Sequence, residues 1–108
     1  MNKFEFDVCI PATHPALPGH FPGHPIVPGV LLLDEVMAAT LQLSGQEIIG
    51  LQHVKFLSPL LPDERAQVMC EMDSDHAVFL ISLPRDGQNV VLAKGKMLTR
   101  LQNNESLD

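Results

Sequence analysis

At 108 residues the chain has room for one domain with one small core. A net charge of −6 with seven Lys and Arg argues against a nucleic-acid surface, which must be positive to face phosphates. The longest uncharged apolar run is too short to span a bilayer, which needs about 20 residues.

Residues 4–10, FEFDVCI, set Phe4, Phe6, Val8 and Ile10 on one face and Glu5, Asp7 and Cys9 on the other. A period of two predicts a half-buried strand. Residues 11–27 hold five prolines and two glycines without periodicity, which predicts an ordered or semi-rigid loop too long for a simple turn. A helix is predicted from Pro28, favoured at the first helical position because its missing N–H needs no partner there. It continues through VLLLDEVMAATLQLS and stops at Gly45. Being apolar around most of its circumference, it reads as a core helix.

Strand-like runs follow. Residues 47–58 mix apolar and polar positions, as in a strand buried on both faces. Residues 66–72 and 76–83 flank a tight turn at 73–75, and Asp86-Gly87 is a hairpin signal before a last strand over 89–101. The order of elements predicts an α+β domain over 1–102, with a polar C-terminal tail at 103–108. Cys9 and Cys70 sit in apolar stretches and read as buried thiols, not as a disulfide or metal pair. The N-terminus MNKFEFDV lacks the apolar core of a signal peptide, so the expected location is cytoplasmic.

Asp34 carries the sharpest chemical signal. Its helical neighbours three and four positions away are Val30, Leu31, Met37 and Ala38. A carboxylate on such a face is poorly solvated and costs free energy unless paired. The alternative is that Asp34 and Glu35 mark an exposed edge, and spacing alone does not choose. Upstream, prolines restrict the backbone around His20 and His24. A histidine beside a carboxylate is common equipment for acid–base work near neutral pH. Gly29, at the helix start, offers a free N–H and the positive end of the helix dipole to a carbonyl oxygen. Together these residues suggest proton abstraction next to a carbonyl.

The motif GHFPGHPIVPGVL (19–31) strongly resembles the signature of 3-hydroxyacyl-[acyl-carrier-protein] dehydratases of the FabA/FabZ type. HVKFLSPLLPDE (53–64) resembles, more weakly, that family's lysine-phenylalanine strand and the turn after it. The resemblance implies a hotdog fold, a curved antiparallel sheet wrapped around one central helix. It implies a homodimer with shared active sites and leaves higher oligomers open. It makes His20 the catalytic histidine, Asp34 the catalytic acid from the other subunit, and Gly29 the donor to the thioester carbonyl. Phe56 and Leu57 would line an acyl tunnel. No cofactor is implied beyond the phosphopantetheine that carries the substrate on acyl carrier protein. Glu35 falls one residue off the acid position, and His14, His53 and His76 carry no signal.

Three departures stand out. The chain starts at the strand before the motif, so the family's usual N-terminal helix and first strand are not in it. The family commonly has Gln four residues after the acid, where Ala38 stands. The tail is short, as in compact versions that serve polyene-type synthesis as well as fatty-acid synthesis. Thioester hydrolysis and a non-catalytic subunit beside a dehydratase homologue remain the alternatives. Lys94, Lys96 and Arg100 share one parity of the last strand, which makes them a carrier-docking stripe or a solvated face.

Overall fold

The computed structural model describes residues 2–15, 17 and 26–101. His20, His24 and the tail lie outside them. The elements run β1 Asn2–Cys9, α1 Gly29–Ser44, β2 Gln46–Phe56, β3 Arg65–Met72, β4 His76–Arg85 and β5 Gln88–Leu101. The strands form one antiparallel sheet in the order β1-β3-β4-β5-β2.

Alternation places the core. Along β3 every second residue is buried: Ala66, Val68, Cys70 and Met72 point inward, while Arg65, Gln67, Met69 and Glu71 point out. The same period puts Phe4, Phe6 and Val8 of β1 and Ala77, Phe79 and Ile81 of β4 toward the core. Burial pushes the Cys70 thiol above the usual cysteine range. Cys9 is half-buried, and both thiols are free. The turn at 73–75 is held by the Asp73 carboxylate, which accepts the N–H groups of Asp75 and His76 at 2.8 Å each. These bonds hold Asp73 below the usual carboxylate range. At the second hairpin, Asp86 and Gly87 both have positive φ, 51° and 79°, the backbone that an Asp-Gly turn signals.

The helix ends where expected: Gly45 adopts φ 75° and its N–H bonds to the Leu41 carbonyl at 2.8 Å. Its start differs by one residue. Pro28, with ψ 140°, is the cap and Gly29 the first helical residue.

Two burial expectations fail. The helix is not surrounded by the core. Leu32, Leu33, Val36 and Thr40 are buried, but Val30 is 72% exposed, and Asp34, Glu35 and Ala38 are exposed with it. Nor is β2 buried on both faces. It is a sheet edge, with Ile49 and Leu51 about half exposed. Both segments are apolar enough for burial, but among the described residues of one copy nothing covers their outward faces.

Candidate active site

The first turn of α1 meets the end of β2. A groove of ≈ 400 Å³ is lined by Val27, Gly29, Leu32, Phe56, Leu57 and Leu60 among others. Gly29 is required there by close approach. A Cβ at this position would lie 2.7 Å from Cζ of Phe56 and 2.9 Å from its Cε1. The Phe56 ring therefore rests on the backbone of the helix start. The first N–H groups of a helix have no acceptor within it. Leu31 and Leu32 donate back to the Pro28 carbonyl, whereas among the described residues the Gly29 and Val30 N–H groups have no acceptor. The apolar groove therefore lies beside these two donors and the positive end of the dipole. Such an end suits a carbonyl oxygen at the head of an apolar chain.

One turn fastens this region. The Val27 N–H bonds to the Leu60 carbonyl at 2.8 Å, and the Asp63 N–H to the Ile10 carbonyl at 2.8 Å. The Asp63 carboxylate also accepts the Ala12 N–H at 3.0 Å. Residues before and after the segment that carries His20 are thus tied to residues 57–64. Arg85 braces that turn: it donates to Glu64 at 2.6 and 3.3 Å and to the Pro59 carbonyl at 2.7 Å. The Arg85 hydrogen bond holds the Glu64 carboxyl below the usual range, against a smaller opposing effect of burial. In sequence this stretch carries only the weaker family resemblance to a turn, and Arg85 lies too far along the chain to be read as its brace. Within the turn Asp63 takes φ 70°.

The expected residues fall into separate places. Gly29, Phe56 and Leu57 come together in the groove. Phe56 and Leu57 are 52% and 54% exposed, so they form an open wall and not a closed tunnel in one chain. Asp34 is exposed on the outward side of α1 instead of buried. At about 100° per residue it is turned roughly 140° from Gly29 around the helix. Asp34 therefore faces away from the groove of its own chain. Glu35 is exposed as well. His20 lies outside the described residues. Arg100 is held by Glu47 across the β2–β5 pair, with contacts at 3.2 Å, which separates it from Lys94 and Lys96. Among the described residues no cluster of three His, Cys, Asp or Glu could hold a metal, and no helix is long and apolar enough to cross a membrane.

A five-stranded antiparallel sheet packed on a single helix defines the hotdog class of proteins. Solved structures of that class superpose over nearly the whole chain. An uncharacterized protein from Erwinia carotovora subsp. atroseptica matches with TM-score 0.78 at 22% identity, covering 92% of this chain and 83% of its own. The dehydratase heterocomplex ApeI:P from Xenorhabdus doucetiae gives 0.76 at 24%, covering 91% and 87%. An acyl-CoA hydrolase mutant from Staphylococcus aureus gives 0.68 at 17%, covering 95% and 66%. At these identities the likeness establishes the fold.

A family model described as ApeI dehydratase matches residues 1–96, and the chain belongs to this ApeI-like dehydratase family. Among curated relatives, the 3-hydroxyacyl-[acyl-carrier-protein] dehydratase FabZ of Myxococcus xanthus is 34% identical over 71 residues, 56% of this chain and 46% of the relative. FabZ of Haemophilus influenzae (strain PittEE) is 36% identical over 69 residues, 55% and 47% respectively. The chain spans about half the length of these relatives.

Proposed function

We propose that the protein removes water from (3R)-3-hydroxyacyl thioesters carried on acyl carrier protein, giving trans-2-enoyl thioesters in fatty-acid or polyene-type synthesis. The chain's family supports the reaction class. The observation that carries the reading is the position of Asp34, a solvent-facing carboxylate among apolar neighbours, turned away from the groove of its own chain. A second copy covering this helix face would bring Asp34 to a site completed by the other chain. Pairing of the exposed β2 edges would do so as part of a homodimer.

In this site the acyl chain lies along Phe56 and Leu57, and the Gly29 N–H binds the thioester oxygen. His20 takes a proton from C2. The C2–H electron pair becomes the C2=C3 double bond as the C3–O bond breaks, and developing charge on the thioester oxygen is stabilised at Gly29. Asp34 holds the 3-hydroxyl and supplies the proton with which it leaves as water. The proton on His20 returns to the carboxyl through solvent before the next turnover. The chemistry uses side chains and backbone alone, with phosphopantetheine as the substrate's handle. The setting is cytoplasmic, where the carrier would be met.

Incubating the purified protein with a 3-hydroxyacyl carrier substrate tests this directly. An enoyl thioester is the expected product. Free acid and free thiol would mean hydrolysis instead. One further reading has its own support, the fold match to a chain of a dehydratase heterocomplex. If the chain is a non-catalytic partner, product appears only when a homologous catalytic chain is added.

A further inference from the structure

The sheet face turned away from the helix carries a second surface. Among the described residues, four of the seven basic residues are in ion pairs: Lys3 with Glu71, Arg65 with Asp7, Arg85 with Glu64 and Arg100 with Glu47. The other three, Lys55, Lys94 and Lys96, gather with His53 in a groove of ≈ 440 Å³. The register explains how. On the outward face, His53 stands opposite Lys96 and Lys96 opposite Val78, while Lys55 stands opposite Lys94 and Lys94 opposite Leu80. Like charges directly opposite on neighbouring strands are destabilising. Lys96 lies close enough to Asp73 to help lower its pKa, but Lys55 and Lys94 have no ion pair among the described residues. In a chain of net charge −6, this is a concentrated positive spot kept at some loss of stability.

Beside it the face mixes exposed apolar side chains with Glu5 and the Lys3–Glu71 ion pair. Val78 pairs with Glu71 and Leu80 with Met69. Val78 and Met69 are 51% and 45% exposed. A second groove of ≈ 400 Å³ shares Val78, Phe79 and Leu80 with the first, so the two form one trough across the sheet. Strands lie about 4.8 Å apart and a helix with side chains is about 10 Å wide. A helix in the trough would span two to three strands. With its apolar stripe on Val78, Leu80 and Met69, one flank would lie over Lys55, Lys94 and Lys96.

We infer that this trough docks an acidic amphipathic helix of the partner that delivers the substrate. The identification of that partner rests on the proposed function, under which it is the acyl carrier protein. Lys55 and Phe56 are consecutive on β2 and project to opposite faces of the sheet, so the docking surface adjoins the strand end that walls the groove at Gly29. Charge provides recognition and on-rate, and the apolar centre adds contact area.

The test compares two charge-matched double variants, Lys55→Gln/Lys94→Gln and Arg65→Gln/Arg100→Gln. Each removes two positive charges, the first pair from the trough and the second from ion pairs elsewhere. For carrier-bound substrate, the trough variant should raise KM about fivefold, the scale of two exposed charge contacts, and the arginine variant should leave it nearly unchanged. Neither should alter turnover of a short pantetheine-linked substrate. The trough effect should shrink as salt rises past 0.1 M, where screening acts within about 10 Å. Melting temperature checks the fold: relief of the Lys55–Lys94 repulsion should hold or raise it in the trough variant. Equal KM changes in both variants would reveal a net-charge effect and overturn the inference. So would a trough variant that changes both substrates alike, or that changes only self-association in sedimentation. If the wild-type protein turns over neither substrate, the function fails, and binding of fluorescent holo-carrier then decides docking separately. Binding lost in the trough variant alone sustains it, and absent or unchanged binding overturns it.

Discussion

Replacing Gly29 by alanine probes the contact on which the groove depends. The added methyl would meet the Phe56 ring at 2.7–3.1 Å, so the ring must move. It is 52% exposed and has room to swing outward. Full burial of such a side chain is worth about 2 kcal/mol, so losing a half-buried contact costs about 1 kcal/mol. Alanine in place of glycine in a helix returns up to about 1 kcal/mol. The two nearly cancel, and urea unfolding should show a net change within about 1 kcal/mol, a shift of no more than about 8 °C in Tm. Activity should not cancel. Under the proposed function the displaced ring lies across the groove that would hold the acyl chain, and misplacement by about 1 Å can cost 10²-fold. We expect kcat/KM for the 3-hydroxyacyl thioester to fall between about 10- and 100-fold. In a Phe56→Leu background, which lacks the ring atoms that clash, the same Gly29→Ala change should have a much smaller effect. This double-mutant cycle isolates the contact. A loss of stability above about 3 kcal/mol, or equal activity losses in both backgrounds, would refute the reasoning.

His20→Ala and Asp34→Asn should each lower kcat by about 10²–10⁴-fold while circular dichroism stays native; near-native turnover in either would remove that residue from the mechanism. Arg85→Ala breaks a two-pronged contact with Glu64 and the bond to Pro59, and should cost about 2 kcal/mol in urea unfolding. Because Arg85 lowers the folded pKa of Glu64, this pair stabilises above the unfolded carboxylate value of about 4.3 and loses its contribution as pH falls through the lowered folded value. The Tm difference between wild type and Glu64→Gln should therefore be constant above about pH 5.5 and narrow below about pH 4. Gly87→Ala places a side chain at φ 79° and should cost about 1 kcal/mol by thermal melting.

What was legible in the sequence follows from local periodicity. Phe4, Phe6 and Val8, and Ala66, Val68, Cys70 and Met72, declare their inward face by alternation alone, and the Asp86-Gly87 turn and Gly45 stop need only backbone preference. The failures occur where a residue's surroundings come from another strand or another chain. Apolar Ile49 and Leu51 look like core residues, yet β2 is an edge, and register shifts between Ile48 and Gly50 and between Leu51 and His53 interrupt its alternation. The helix reads as buried because Val30 and Ala38 are apolar, although this face is open in one chain. Arg100 shares parity with Lys94 and Lys96, but its partner Glu47 lies on a strand about 50 residues away, and Lys55 joins the lysines only through pairing of β2 with β5. Of the candidate site, the sequence pattern named the residue types, and the fold brought Gly29, Phe56 and Leu57 into one groove.

Subunit complementation tests most directly whether water is eliminated by residues shared between two copies. Inactive His20→Ala and inactive Asp34→Asn chains are mixed, allowed to exchange and assayed for enoyl thioester by mass spectrometry. Statistical exchange makes half of the dimers hybrid, each with one intact site, so activity should return to about a quarter of the wild-type value. Hybrid dimers verified by native mass spectrometry that form no enoyl product would contradict a site built from both chains.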